Sequence, residues 1–324
     1  MPLSLRRGVV TTVAERTDGL VRLEVDGVAC IAYPRLTGPV EEGDDVLVNE
    51  QARALELGSG GFDVLYANLT RGLGLGAEAG AHVMALPYTP LQVALRHGEE
   101  DGAFAESLDG LPVVCCSLHS QVAPVCAGLA GARVAYVQTG GGALPVSLSD
   151  SVRALKDASL IDVAVAVAPC LDGDVECVTV AAALAWAAAA DYEAIVASVG
   201  PGIVGTGTAL GHGALAAAEV ANSASALGGR PVLVPRVSFG DERERHRGLS
   251  HHTRAALGLI LGDLAVPWPA GLDAPDVDVV EVDVSAWKES CAGLPLSHMG
   301  RGPDDDPWFF AAAYAAGRLV RRGQ

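Results

Sequence analysis

From residue 82 onward the chain alternates two kinds of apolar segment. Continuous runs of strand length, such as Pro112–Cys116, Val163–Ala168 and Ala194–Val199, are separated by longer alanine-rich stretches. A strand that is apolar at every residue must be buried on both faces, as happens when helices cover both sides of a mainly parallel sheet. Short crossovers between parallel strands make right-handed units. Residues 82–324 therefore read as a doubly wound, Rossmann-like α/β domain. Strands are expected at Val83–Pro87, Pro112–Cys116, Val134–Val137, Val163–Ala168, Ala194–Val199, Val232–Pro235 and Val277–Val282. The helices expected between them include Thr208–Leu227 and His251–Gly262.

Residues 1–70 follow a different period. LVRLEVDGVACIAY alternates faces on both sides of Asp26-Gly27, a hairpin signal. GDDVLVN and FDVLYANL add further short strands, the second after Leu57-Gly58-Ser59-Gly60-Gly61. Short strands with tight turns predict a small β-barrel or sandwich. Arg71–Ala81 is glycine-rich and reads as a linker. The module has no basic, aromatic face for oligonucleotides. A structural or subunit-pairing role, and with it a homodimer, is the expectation.

The formal charge of −17 disfavours nucleic acid and acidic lipid as partners. No run is long and apolar enough to suggest a membrane span. Seven cysteines, an odd number without a CxxC pair, suit reduced thiols in a cytoplasm. MPLSLRRGVV lacks an apolar core after its arginines and is not expected to be a secretion signal.

In open parallel sheets ligands bind beyond the carboxyl ends of the strands. Those ends are polar or glycine-rich here. They carry Ser117, His119 and Ser120; then Thr139, Gly140 and Gly141; then Asp172 and Asp174; then the loop Gly200–Thr208; then Arg236 and Ser238. The loop holds Gly200, Gly202, Gly205, Thr206, Gly207 and Thr208, and includes a GxGxxG pattern between a strand and a helix. That context suits a phosphate cradle at a helix N-terminus. An acidic ribose partner is missing from the next strand end, which weakens a nicotinamide reading, although Arg236 with Ser238 could meet a ribose phosphate.

Ser250 is a natural N-cap, and it places His251 and His252 in a first helical turn, where the helix dipole disfavours their protonation. His119 and His212 stand at other strand-to-helix turns. A metal would need three of these histidines, or two with Asp172 or Asp174. No HExxH or HxH spacing supports one, so no metal site is assigned.

Four phrases are familiar together: MALPYTPLQ at Met84–Gln92, CSLHSQ at Cys116–Gln121, GPGIVGTGT at Gly200–Thr208 and RERHRGLSHHT at Arg243–Thr253. They resemble the bacterial family catalogued as domain of unknown function 3866, over most of the chain. The resemblance implies a bacterial cytoplasmic protein of one continuous architecture. It implies no activity and no catalytic residue.

The sequence thus leads to the expectation of a phosphorylated or nucleotide-like anionic small molecule bound at the strand ends, with no cofactor identified. The glycine loop, Gly140, Gly141, Ser117, Ser120, His212, Arg236 and Ser238 would bind it. His119 would act as acid or base, with His251 or His252 as its partner. Three alternatives stand beside this: a non-catalytic sensor or assembly protein, an NAD(P)-dependent oxidoreductase and a metal-dependent hydrolase.

Overall fold

The computed structural model describes residues 3–54 and 61–323. Leu57–Gly60 of the expected turn lie outside the described residues. The chain divides into two compact units, Met1–Leu95 and Arg96–Gln324.

The first unit is built on a closed barrel. Its strands are β1 (Leu5–Thr17), β2 (Leu20–Val25), β3 (Val28–Ala32), β4 (Asp45–Asn49) and β5 (Asp63–Asn68), in the order β1-β2-β3-β5-β4. The long β1 closes the barrel by changing partner. Its first half pairs with β4, and its second half pairs with β2. Asp26 and Gly27 both take positive φ, which supplies the tight turn between β2 and β3. Val10, Leu23, Val25, Val46, Val48 and Leu65 fill the interior. Residues 71–82 carry neither strand nor helix. A hairpin of β6 (Val83–Ala85) and β7 (Val93–Leu95) ends the unit.

The second unit is α/β. Its six-stranded sheet comprises β8 (Pro112–Cys116), β9 (Val134–Thr139), β10 (Val163–Val167), β11 (Val175–Cys177), β12 (Ala194–Val199) and β13 (Arg230–Val234). All neighbours are parallel, in the order β11-β10-β9-β12-β8-β13. Helices Val122–Gly128, Asp150–Asp157 and Pro307–Arg322 cover one face, and Val180–Ala189, Ala216–Ala226 and His251–Leu257 cover the other. Alanine and glycine permit close layers. A Cβ on Gly317 would stand 2.1 Å from the Val125 carbonyl oxygen, so helix Pro307–Arg322 lies directly against Val122–Gly128. Among the described residues no helix is long and apolar enough to cross a membrane.

Two of the expected strands lie outside this sheet. Val83–Ala85 pairs antiparallel with β7, because a turn with positive φ at Leu86 and Tyr88 sends the chain back. Short strands follow β13: β14 (Val237–Ser238) pairs with β15 (Gly248–Leu249), and β16 (Pro267–Pro269) pairs with β17 (Val280–Val282), the remnant of the expected Val277–Val282 strand. The sixth strand of the sheet is instead the short β11, whose apolar run is interrupted by Glu176.

β9 and β12 are neighbours, yet they lead into helices on opposite faces of the sheet. Their following loops pack against each other, with Ala143 N–H donating to the Pro201 carbonyl at 2.8 Å and Val204 N–H to the Gly141 carbonyl at 2.9 Å. Such switch points are where open α/β sheets place ligands.

Candidate functional site

A cavity of about 430 Å³ lies at the carboxyl ends of β9 and β10. Thr139, Gly140 and Gly141 line it after β9, Pro169 after β10, and Leu210, His212 and Gly213 before helix Ala216–Ala226. Gly141 takes a φ of +118°. A Cβ on Gly213 would lie 2.1 Å from the Gly141 carbonyl oxygen, so these two loops meet backbone to backbone. Among the described residues, two that line the cavity each hold a buried side-chain atom without a hydrogen-bond partner: Thr139 Oγ1 and His212 Nδ1. Thr139 is 5% exposed and His212 7%. Among the described residues no lysine or arginine lines the cavity.

The glycine loop takes another shape from the one expected. The following helix starts at Ala216, after a 3-10 turn at Gly213–Leu215, and not at Thr208. Gly200 is packed, since a Cβ there would stand 2.1 Å from the Ala143 carbonyl oxygen. From Gly202 (φ +68°) the chain runs outward as a small hairpin. Thr206 N–H donates to the Gly211 carbonyl at 2.7 Å, Gly205 bridges His212, and Gly213 N–H donates to the Val204 carbonyl. Thr206 and Thr208 are exposed and bond each other through their hydroxyls at 2.8 Å. Gly205 and Gly207 are exposed too. Hairpin pairing takes up the amides of Thr206 and Gly213, because glycine pairs here favour a tight turn over an early helix.

His212 ends this hairpin, and its ring joins a group of stacked imidazoles. Its Nε2–H donates to the Ala209 carbonyl at 2.9 Å, which leaves a lone pair on Nδ1. The ring stacks on His252 at 3.9 Å between centroids and meets His251 edge-on at 5.5 Å. His251 and His252 come from the first turn of helix His251–Leu257, which Ser250 caps by accepting from His252 N–H. His246 packs at 4.7 and 4.8 Å from those two rings and pairs with Ser250 Oγ at 2.8 Å. The buried Nε2 of His251 has no partner.

Behind the rings lies a buried ionic network. Arg236, 2% exposed, donates to His252 Nδ1 at 3.2 Å and to Asp241 at 3.1 Å, and reaches His298 Nε2 at 3.4 Å. Asp241 also accepts from Arg243 at 2.9 and 2.8 Å and from Arg301 at 3.4 Å. Ser238 donates to Asp306, which accepts Phe239 N–H as well. Asp306 stands at the N-cap of helix Pro307–Arg322 but makes no cap bond, because its carboxylate turns to Ser238 and Phe239 instead. His298 lies flat on Phe309 at 3.9 Å, and its Nδ1–H donates to Ser120 at 3.0 Å.

Burial and the neighbouring arginines keep the rings neutral. Burial first, then the Arg236 charge among others, lowers His246 to about 3 and His298 to about 3. His252 falls to about 2 through burial and then His212 and Arg236. His212 and His251 are lowered too, burial leading in both. For Asp241 burial acts upward, but hydrogen bonds from Arg243 and the charges of Arg243 and Arg236 hold it well below the usual carboxylate range.

A family profile described as "Protein of unknown function (DUF3866)" matches residues 29–317. The chain belongs to the DUF3866 family. No curated protein matches it. The DUF3866 match takes in the whole cavity, all five clustered histidines and the Arg236 network.

Of the residues the sequence pointed to in this DUF3866 chain, the structure brings together Gly140, Gly141 and His212 around the cavity, and His212, His251 and His252 in the ring stack. Arg236 and Ser120 join the ionic network. Ser238 is buried in it. His119 is engaged elsewhere. Its Nδ1–H donates to the Val199 carbonyl at 3.2 Å, and Nε2 accepts from Ser149 at 2.6 Å. Ser117 bonds Gln121, which donates on to the Pro235 carbonyl. Asp174 is held by Lys156 and Ala164 N–H. Thr139, His246, Asp241, His298 and Asp306 were not singled out as site residues. His246, four residues before the capping Ser250 in RERHRGLS, offered a usable sequence signal.

Proposed function

We propose that the second unit binds a small organic molecule in the cavity at the carboxyl edge of its sheet, and that the molecule carries hydroxyl or amine donors. The pair of buried, partnerless atoms in two residues that line the cavity, Thr139 Oγ1 and His212 Nδ1, carries this reading. An unsatisfied buried polar group costs about 1–3 kcal/mol, and a ligand offering a donor removes that cost. His212 presents a lone pair, so it accepts. Glu219, which also lines the cavity, favours donors or a positive group over a phosphate. A volume of about 430 Å³ suits a nucleoside- or sugar-sized molecule. Apolar Val167, Pro169 and Leu215 would bury its flat or aliphatic part. The strand order, with helices on both faces, supports the doubly wound, Rossmann-like reading of the sheet.

Thermal melts against nucleosides, sugars, polyols and polyamines, each beside its phosphorylated form where one exists, test the proposal. A ligand at about a hundred times its dissociation constant stabilises by about 2.7 kcal/mol. Stabilisation by an unphosphorylated donor-bearing compound, lost in Thr139→Val, is the expected result. A response to phosphorylated compounds alone, or one indifferent to Thr139→Val, would move the site elsewhere. Any hit is then incubated with the protein and assayed for turnover, which separates enzyme from sensor.

A further inference from the structure

We infer that His212, His251 and His252 form a binding site for a divalent transition metal. One ring nitrogen from each lies within 4.8 Å of the others. Zinc–nitrogen bonds of about 2.0–2.1 Å place tetrahedral ligand atoms about 3.3 Å apart, so the rings must draw together by at most about 1.5 Å. Two of these rings carry a buried nitrogen without a partner, His212 Nδ1 and His251 Nε2. Buried polar atoms in that state usually mark a missing ligand, water or ion.

The supporting contacts suit a metal. His212 donates its other ring N–H to the Ala209 carbonyl, the outer bond that metal-ligating histidines ordinarily make, and this fixes the lone pair on Nδ1. His251 and His252 are placed by a capped first turn, and His212 by the Gly205–His212 bridge. Neutral imidazole is the form that binds metal. An all-nitrogen set suits Zn²⁺, Co²⁺, Ni²⁺ or Cu²⁺, and not Mg²⁺ or Ca²⁺.

His252 is the ligand that must change. Arg236 donates to its Nδ1 and so keeps the proton on Nε2. Coordination through Nε2 moves that proton to Nδ1 and ends the Arg236 contact. Arg236 retains Asp241. Metal uptake therefore loosens Arg236 from the ring stack, with no net proton released by His252. Three protein ligands leave a fourth position open for water or an anion. Because His212 also lines the cavity, the metal would stand at its wall. The one lone pair of His212 Nδ1 serves either the metal or a donor of the organic ligand, so with metal bound the organic ligand keeps only Thr139 of that pair.

The test uses the full chain without a histidine tag, stripped with chelator and then dialysed against Zn²⁺ or Co²⁺. One zinc per chain is expected. The Co²⁺ protein should show d–d bands of a nitrogen and oxygen site with no thiolate charge-transfer band. His212→Gln and His251→Gln should each weaken Zn²⁺ binding by more than the about 10–100-fold that loss of a supporting bond costs. Thr139→Val should leave it unchanged, which separates this site from the organic one. Circular dichroism and melting of the metal-free variants confirm that they fold. Absence of stoichiometric zinc in the wild type, a sulfur-to-cobalt band, or wild-type affinity in the folded histidine variants would each overturn the assignment.

Discussion

Arg236 donates through Nη1 to Nδ1 of His252, 3.2 Å away, and both side chains are almost wholly buried. The guanidinium is flanked on its other side by Asp241. One side chain thus couples a neutral ring stack to a charged network. A buried arginine that meets a carboxylate and two imidazoles is held by its surroundings, with little left to offer a ligand from solvent. Removing one member of a buried pair typically costs about 3–5 kcal/mol, because the other charge stays behind. Asp241 keeps Arg243 and Arg301, so Arg236→Met should fall toward the lower end of that range. Urea denaturation of Arg236→Met and Asp241→Asn checks this, with the double variant losing less than the sum of the two.

The histidines set the acid side of the stability curve. In the unfolded chain they titrate near about 6.5. In the folded chain His246 and His298 are held to about 3 and His252 to about 2. A depressed folded value means that the unfolded state takes up protons first as pH falls. The histidine contribution to stability is then constant above about pH 7 and declines as pH drops from about 6.5 toward those folded values. Each such ring adds a slope of up to about 1.4 kcal/mol per pH unit. Asp241, also depressed when folded, adds a loss of the same sign at lower pH. Denaturant melts at pH 8, 6.5 and 5 should show a drop between the last two, and His298→Gln should flatten it.

The glycines differ sharply in what they do. Gly213 abuts Gly141, and a Cβ on it would stand 2.1 Å from the Gly141 carbonyl. Gly213→Ala must push the two loops apart, at about 1–3 kcal/mol, the usual cost of overpacking. It should also weaken any ligand of the cavity. Gly207, at the hairpin, has nothing within 4 Å of its added Cβ. Gly207→Ala should change stability by no more than about 0.5 kcal/mol. Parallel melts of the two variants decide whether the hairpin tip or the glycine contact matters.

These contrasts show how far the sequence could be read. Pro112–Cys116 and Ala194–Val199 were legible to the residue, because a strand buried on both faces leaves an unbroken apolar run. The barrel hairpin was legible through Asp26-Gly27. The Ser250 cap and the two histidines after it were legible, since capping is local chemistry. The helix expected from Thr208 was not, because GTGTALGHG pairs with itself as a hairpin before the helix starts at Ala216. His298 was not legible either, because its contact with Arg236 spans 62 residues of chain, which no local pattern encodes. His119 looked like a catalytic histidine by position. Its partners, Val199 and Ser149, lie 80 and 30 residues away, and they make it a tie between loops.

That tie gives the last prediction. Ser149 caps helix Asp150–Asp157 by accepting Val152 N–H at 3.0 Å, and its own hydroxyl proton goes to His119 Nε2 at 2.6 Å. His119 in turn donates to the Val199 carbonyl at the end of β12. Burial lowers the ring to about 4, so it stays neutral and keeps this direction of bonding at ordinary pH. Ser149→Ala removes both the cap and the donor, and loss of a cap alone costs about 0.5–2 kcal/mol. His119→Ala removes the acceptor and leaves the Val199 carbonyl without that bond. If the two side chains act as one unit, the double variant should be less destabilised than the sum of the singles, by about 0.5–3 kcal/mol. Additive losses would show that Val199 and the Tyr136 hydroxyl hold His119 without help from Ser149. Metal affinity should be unchanged in every member of the cycle, because His119 bonds Val199 and Ser149 and none of the stacked histidines.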